Sequence, residues 1–354
     1  MPYDKDSFLA GLAVGRNMKG WAFPVPAPAG TLGLSVKIDL DSYSGEFSVY
    51  CMIRTEYYGE PVDVYADWGD GTNQNYHFEN PYSVVYQVNF RHAYSANGIY
   101  RVMIVGLFKA EYLDDMRILD IVQFHAPLPC DYWGNFEDQS SLITVPENLF
   151  QWFRKNGQGH LDLDRLFSGN KSLESVPETL FNGITLDDRP HVSFMFSGCH
   201  ALKEIGDGLF SNPAFRTALG FSYVFENCRA LQEIPDGLFN QAIMAESFSD
   251  CFRACWSLTE IPAGLFNQAK RATDFSYCFS DCYSLTSIPE DLFDETSANN
   301  FAWCFSNCTG ITGAVPKLWE KFPNANGSYC FSGCTNASNY NEIPASWGGP
   351  SANQ

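Results

Sequence analysis

Apolar residues recur with a long period through the C-terminal two-thirds of the chain. Phe275, Cys278, Phe279 and Cys282 lie at i, i+3, i+4 and i+7, the spacing of one face of a short helix. The third member of this pattern, called here the repeat phenylalanine, recurs every 26 to 29 residues: Phe167, Phe196, Phe225, Phe252, Phe279, Phe305 and Phe331. A weaker copy begins at Phe136. Self-similarity at this period predicts a solenoid, in which each repeat buries its apolar face against its neighbours.

The second half of each repeat predicts a short strand and a plug. Leu285-x-x-Ile288-Pro289 is too short for a helix and is closed by a proline, so stacked copies should form a parallel sheet along one side. Leu292-Phe293 then fills the core before a polar turn. Helix, strand and turn in under 30 residues predict an α/β repeat.

The repeat motifs resemble those of a known repeat family. The phrase Phe-x-x-Cys-x-x-Leu-x-x-Ile-Pro-x-x-Leu-Phe resembles the BspA-type leucine-rich repeat of bacterial surface proteins and of proteins of their phages. The similarity covers residues 114–347, and the first and last copies drift from the pattern. It implies an α/β leucine-rich-repeat solenoid of about seven to eight repeats, a fold that usually binds other molecules rather than transforming them.

A different module precedes the repeats. Trp68-Gly69-Asp70-Gly71-Thr72 follows a predicted strand, and His92-Ala-Tyr94-x3-Gly98-x-Tyr100-x-Val102 follows about twenty residues later. This pair of motifs resembles the PKD domain, which implies an immunoglobulin-like β-sandwich over residues 32–113 that spaces or positions a neighbouring module. Asp67 and Asp70 are candidate calcium ligands, but aspartates in such turns usually accept hydrogen bonds from their own backbone.

The first 31 residues predict a docking helix and a linker. The apolar run Phe8–Val14 is short for a secretory signal or a membrane span, so we expect an amphipathic helix followed by a stiff, proline-rich linker. The residues expected to dock to an assembly are Phe8, Leu9, Leu12 and Val14. The segment resembles the opening of virion appendage proteins of phages and prophages; a disordered start is the alternative. Residues 348–354 form a polar tail.

Ten of the twelve cysteines lie in two columns of the repeats. The first column also accepts Leu166, Met195 and Val224, so it predicts a small apolar core position. The second alternates with Asn170, which suits a buried side chain bonded to a tight backbone turn. Buried free thiols are therefore favoured over disulfides, and over zinc because no histidine is in register. We expect no metal and no cofactor.

Two further columns are candidate binding sites. The aromatic column lies two residues before the repeat phenylalanine and contains Phe194, Tyr223, Tyr277, Trp303 and Tyr329, interrupted by Asp250. It suits carbohydrate or protein recognition, or it covers the seams between repeats. The acidic column on the predicted strand contains Glu204, Glu233 and Glu260. It would face a basic partner or a cation, or it is a solvated acidic face.

Composition narrows the functional classes. The net charge of −19 argues against nucleic acid and anionic membranes as partners. The six histidines share no repeat register and no catalytic motif is present, so we expect no enzyme activity. The sequence predicts a non-enzymatic recognition protein on a virion or extracellular surface, binding a host glycan or protein and attached to virion structural proteins through its N-terminus. A bacterial BspA-like adhesin, a purely structural capsid or tail decoration protein, and homo-oligomerisation stay open.

Overall fold

The computed structural model describes two β-sheets followed by a series of stacked repeats. The described residues are 31–38, 40, 45–53, 62–78, 86–105, 109–112, 118–124, 136–138, 142–145, 147, 149, 163–182, 184 and 190–351. The predicted docking helix with Phe8, Leu9, Leu12 and Val14, and the proline-rich linker, lie outside them. No helix in the described part of the chain is long and apolar enough to cross a membrane.

Eight strands of the N-terminal half form two antiparallel sheets. They are β1 Thr31–Ile38, β2 Glu46–Ile53, β3 Val62–Asp67, β4 Asn73–Phe78, β5 Tyr86–Ala93, β6 Gly98–Val105, β7 Lys109–Tyr112 and β8 Ile118–Phe124. One sheet has the order β4-β3-β6-β1-β8, and the other has the order β5-β2-β7.

Alternation along the strands decides which side chains are buried. On β1, Val36 and Ile38 are buried whereas Lys37 between them is exposed, as the two-residue period of a strand requires. Phe90 of the three-stranded sheet contacts Tyr76 of the five-stranded sheet edge-on, with ring centroids 4.7 Å apart. The two sheets therefore meet through apolar side chains.

The sheet region extends beyond the boundary at residue 113 that the sequence predicts. Strand β8, Ile118–Phe124, pairs antiparallel with β1, with Leu32 opposite Phe124. The prediction placed this segment with the repeats because the leucine-rich-repeat resemblance begins at residue 114.

Little regular secondary structure is present in the described repeats. The only strands there are β9 Ser175–Val176 and β10 Glu204–Ile205, which pair in parallel. The helical segments are α1 Leu318–Lys321 and three 3₁₀ helices: Pro213–Thr217, Tyr340–Glu342 and Ala345–Trp347. The strand expected in every repeat is thus present in two, and elsewhere single backbone bonds, such as Thr286 N to Thr259 O, join neighbouring repeats.

The predicted helix of each repeat is wrong: a pair of tight turns takes its place. The amide of Cys251 donates to the carbonyl of Phe248 at 3.2 Å, and the residue before it, Asp250, has φ of +54°. Four residues later the same arrangement recurs at Ala254, with φ of +57°. A positive φ at the third position is the requirement of a type II turn, and it cannot be continued as a right-handed helix.

Alternate amides of these turns bond to the next repeat. At one junction the donors Phe248, Asp250, Phe252 and Ala254 reach the carbonyls of Asp274, Ser276, Cys278 and Ser280 at 2.8–2.9 Å. The amides between them close the turns within the repeat. The backbone is therefore satisfied partly between repeats, as buried polar groups require.

The core consists of phenylalanine columns that continue from repeat to repeat. Phe252 stacks on Phe225 and on Phe279, each with ring centroids 5.4 Å apart. The plug residues form a second column, in which Phe239 lies 6.0 Å from Phe266 in a parallel arrangement. All five rings are buried. Each repeat thus buries its aromatic side chains against its neighbours.

Candidate functional site

Two rows of turn residues run along the repeats with the same backbone conformation. The first turn row lies two residues before the repeat phenylalanine: Arg165, Phe194, Tyr223, Asp250, Tyr277, Trp303 and Tyr329, with φ from 54° to 60°. The second turn row lies two residues after it: Gly169, Gly198, Asn227, Ala254, Asp281, Asn307 and Gly333, with φ from 57° to 84°. The first row contains the whole predicted aromatic column.

The residues of the first turn row are unusual for their conformation. Glycine, asparagine and aspartate adopt positive φ most readily, and these types dominate the second row. A bulky L-residue in the left-handed region costs roughly 1–2 kcal/mol. Five aromatic residues nevertheless hold this conformation in the first row. Backbone strain retained in this way is a feature of functional sites.

The aromatic side chains of the first turn row stack in two groups. Phe194 and Tyr223 are parallel within 7°, with ring centroids 4.3 Å apart. Tyr277 lies 5.9 Å from Trp303, which lies 4.4 Å from Tyr329. The structure thus brings the predicted residues together as a pair and a triplet rather than as one continuous column.

Asp250 separates the two groups. Its carboxylate is buried and accepts a hydrogen bond from Arg253 at 3.1 Å. Burial raises the pKa of Asp250, although the hydrogen bond and the charge of Arg253 oppose this shift. Burial and the neighbouring charge of Asp250 also raise the pKa of Tyr223.

Guanidinium groups cover two of the ring faces. Arg253 Cζ lies 5.3 Å from the ring centroid of Tyr277, and Arg165 Cζ lies 4.9 Å from that of Phe194. Rings covered on both sides present mainly their edges and polar tips to a partner. Tyr329 ends the triplet and is 53% exposed, so it is the aromatic side chain most open to contact in this row.

The acidic column is exposed, as its predicted position on the strand implies. Glu204 lies opposite Ser175 in the parallel pair of β9 and β10. Glu233 and Glu260 follow in the next two repeats, and all three glutamates are exposed. Among the described residues none of the three forms an ion pair, so the column is a line of carboxylates in contact with solvent.

The second cysteine of each repeat donates a hydrogen bond across the core. Cys282 Sγ lies 3.2 Å from the carbonyl oxygen of Phe252, the repeat phenylalanine of the preceding repeat. Asn170 Nδ2 bonds to the equivalent carbonyl of Phe136. A thiol and an amide thus donate to the same position, which explains why this column accepts both residue types.

The ten column cysteines of the described repeats are free and buried. They are Cys199, Cys228, Cys251, Cys255, Cys278, Cys282, Cys304, Cys308, Cys330 and Cys334. Burial raises the pKa of Cys334 to about 12, and it also raises the pKa of the other nine thiols. The thiolate, the form that reacts and binds metals, is therefore suppressed in this core.

One row of side chains was missed by the sequence analysis. It occupies the position directly after Asn170 or the second cysteine in five consecutive repeats and is called here the post-cysteine row: Lys171, His200, Arg229, Trp256 and Tyr283. Thr309 and Thr335 occupy this position in the two repeats that follow. Because the residue type changes from cationic to aromatic along the row, no repeated letter marked it. The shared position in the repeat was the available signal.

The aspartates of the sheet region bond within their own turn. Asp67 accepts from the amide of Gly69 at 3.0 Å, and Asp70 accepts from the amide and hydroxyl of Thr72. His92 Nε2 lies 2.7 Å from Asp70 Oδ2. Burial opposes ionisation of Asp70, but the hydrogen bonds from Thr72 and His92 outweigh it and lower the pKa. Within the described residues, no group of three or more His, Cys, Asp or Glu side chains is placed to hold a metal ion.

Comparison with known proteins does not assign the chain to a family. No protein-family model, no curated protein and no solved structure matches it.

Proposed function

We propose that this chain is a non-enzymatic recognition protein of a virion appendage that binds a host-surface glycan or protein. In this proposal the repeats from Phe136 to Trp347 form a BspA-type leucine-rich-repeat solenoid behind a PKD-like β-sandwich that includes strand β8. The N-terminal segment attaches the chain to virion structural proteins through Phe8, Leu9, Leu12 and Val14.

The first turn row is the observation that carries the proposal. Stacking of two aromatic rings contributes about 0.5–1.5 kcal/mol, which is comparable with the strain of the left-handed backbone beneath each ring. Because the stacking free energy and the backbone strain nearly cancel, the aromatic side chains add little to the stability of the fold. Their presence at five positions of the row therefore supports a role in contacting a partner. Exposed Tyr329 and the partly exposed edges of Trp303 and Tyr277 supply the contact surface.

The architecture supports the solenoid part of the proposal. Hydrogen bonds between repeats and continuous phenylalanine columns are what a stack of units needs when each has no core of its own. The two antiparallel sheets with buried apolar side chains support the β-sandwich part. The attachment role of residues 1–31 rests on their sequence alone.

Binding to intact host cells tests the proposal. The double variant Tyr277→Ala and Trp303→Ala should bind cells at least tenfold more weakly than the unmodified chain, because it removes two of the three stacked rings. Tyr340→Ala is the matched control, since it removes a partly buried ring outside the row. Unfolding curves must show that the double variant is folded at the assay temperature. Unchanged binding by the folded double variant would contradict the role of the row.

A second experiment separates recognition from architecture. The full chain and a chain without residues 1–30 are each added to host cells and to virion particles. Cell labelling by both forms, with particle association by the full chain alone, is the expected result. If both forms fail to label cells while the full chain decorates particles, the chain is a structural decoration protein and the recognition proposal is wrong.

A further inference from the structure

The post-cysteine row forms a continuous line across successive repeats. Four backbone carbonyls of the row accept a hydrogen bond at 3.2 Å from the next repeat: those of Lys171, His200, Arg229 and Trp256. In each case the donor is the amide of the residue that directly follows the next member of the row. Consecutive members therefore lie side by side, one repeat apart. The row runs from basic side chains to aromatic ones.

The basic end is an exception in an acidic chain. The chain carries 41 acidic and 22 basic residues, yet Lys171, His200 and Arg229 are adjacent in the row. Among the described residues, none of the three forms a salt bridge. Burial, together with the charges of Arg229 and Lys171, lowers the pKa of His200. This shift favours the neutral form of His200, so the positive charge of the row comes from Lys171 and Arg229, and no described carboxylate neutralises it by direct contact.

Arg229 is held in place with hydrogen-bonding capacity unused. Its Cζ atom lies 4.2 Å from the ring centroid of Trp256, a cation–π contact that fixes the guanidinium plane. Its Nε is buried and has no hydrogen-bond partner among the described residues. A buried donor without an acceptor is costly, and a planar fork of donors matches a carboxylate, sulfate or phosphate.

The aromatic end leaves ring surface accessible. Trp256 is 40% and Tyr283 is 43% exposed. Their rings are tilted by 46° with centroids 6.1 Å apart, so they do not cover each other as the parallel rings of the first turn row do. Arg229 covers one face of Trp256; the remaining exposed ring surface of Trp256 and Tyr283, beside a positively charged group, suits a ligand that has both an apolar face and a negative charge.

We propose that the post-cysteine row binds an acidic saccharide. The anionic group of one sugar lies against Arg229 and Lys171, and the C–H face of an adjoining sugar packs on Trp256 and Tyr283. This inference rests on the proposed recognition function and names its ligand class. It assigns binding to a surface different from the first turn row.

Binding of defined oligosaccharides to the full chain tests the inference by calorimetry. The probes are a hexauronate, a sulfated hexasaccharide and the carboxyl-reduced, neutral form of the hexauronate. At least one acidic probe should bind ten times or more tightly than the neutral probe. Raising the salt concentration should weaken that binding, because the ion pairs are solvent-exposed. Equal affinity for neutral and acidic probes, or binding of none of the three, would overturn the inference.

Matched variants locate the site. Arg229→Gln should weaken binding of the acidic probe about tenfold, the loss expected for one charge-assisted contact. Tyr283→Ala should also weaken it, and this exposed ring can be removed with little risk to folding. Arg271→Gln is the control: it also removes one guanidinium, but an exposed one that is paired with Glu246 outside the row. Equal effects of Arg229→Gln and Arg271→Gln would show only a general charge effect and would overturn the site.

The cell-binding assay distinguishes failure of the inference from failure of the proposed function. If the chain binds host cells but Arg229→Gln and Tyr283→Ala bind as well as the unmodified chain, the inference fails and the recognition function stands. If the acidic probe binds through Arg229 but cells are never labelled, the inference stands and host recognition fails.

Discussion

The two turn rows share one backbone conformation but differ in the residues that occupy it. The second row has glycine, asparagine or aspartate at nearly every position, whereas the first has an aromatic side chain at five of its seven positions. The repeat phenylalanine lies between them, two residues from each. The difference teaches that the residue types of the second row follow backbone preference, although Asn307 also donates a hydrogen bond to Asp281 at 2.9 Å across one junction. In the first row, where aromatic side chains meet across repeats, stacking offsets strain of similar size.

The largest expected effect comes from removing the ring between the two rows. Phe252 is fully buried and stacks on two neighbours at 5.4 Å. Phe252→Ala should reduce the free energy of unfolding by about 4 kcal/mol, because it deletes a buried ring and leaves a cavity. Denaturant unfolding measures this loss. A loss below about 1 kcal/mol would mean that the columns do not form the core.

The next effect separates strain from stacking within the first row. Trp303→Ala should lower the free energy of unfolding by about 2 kcal/mol, since it loses contacts with Tyr277 and Tyr329 but keeps a positive φ. Trp303→Gly loses the same contacts and relieves the strain. The glycine variant should therefore be more stable than the alanine variant by about 1 kcal/mol. The opposite order in thermal unfolding would contradict the left-handed assignment of this row.

A matched pair of variants tests the second row. Ala254 is its one residue that is neither glycine, asparagine nor aspartate, so Ala254→Gly should raise the free energy of unfolding by about 1 kcal/mol. Gly198→Ala should lower it by about the same amount. A methyl group at Gly198 would meet only Gly169, at 3.5 Å, so steric overlap does not confuse the result. Changes of the same sign in both variants would contradict the comparison.

The smallest expected effect comes from Asp250, which interrupts the aromatic side chains of the first turn row. Because the folded state raises the pKa of Asp250, this group binds its proton more tightly in the folded than in the unfolded chain. Its contribution to stability is therefore present below the unfolded pKa and is lost as pH rises through the folded pKa. Asp250→Asn should thus be more stable than the unmodified chain at pH 7.

The advantage of Asp250→Asn should shrink as the pH is lowered, because Asp250 itself then becomes neutral. Thermal unfolding of both chains between pH 3 and pH 7 measures the difference. An advantage that is independent of pH would show that ionisation of Asp250 is not its cause.

The burial pattern of the repeats could be predicted from the sequence, but the backbone could not. Phe275, Cys278, Phe279 and Cys282 are all buried, as their spacing predicts. A chain of tight turns places i, i+3, i+4 and i+7 on one side as a helix does, so the spacing does not distinguish them. The turn signal lay in the second row, where Asp281 and its glycine and asparagine equivalents recur. Hydrogen bonds to the next repeat, which favour turns over a helix, leave no mark in one repeat's sequence.

The candidate sites were predictable to different degrees. The register of the first turn row followed from the period, and the break at Asp250 was visible as a change of residue type. Its ion pair with Arg253 and the resulting coverage of Tyr277 depend on three-dimensional contacts. The post-cysteine row was not predicted because the residue type changes from basic to aromatic between Arg229 and Trp256. Its members share only their position in the repeat.

Burial makes the ten column cysteines of the described repeats insensitive to the redox potential around them while the repeats stay folded. Thiol exchange needs a thiolate and access, and Cys255, Cys282 and Cys308 have neither while their hydrogen bonds to the preceding repeat hold. The column thiols of the described repeats would thus stay unpaired both inside a reducing cell and outside it. Any reaction of these thiols reports a repeat that has opened. The alkylation rate of each of these cysteines would therefore give the lifetime of the closed junction between its repeat and the preceding one.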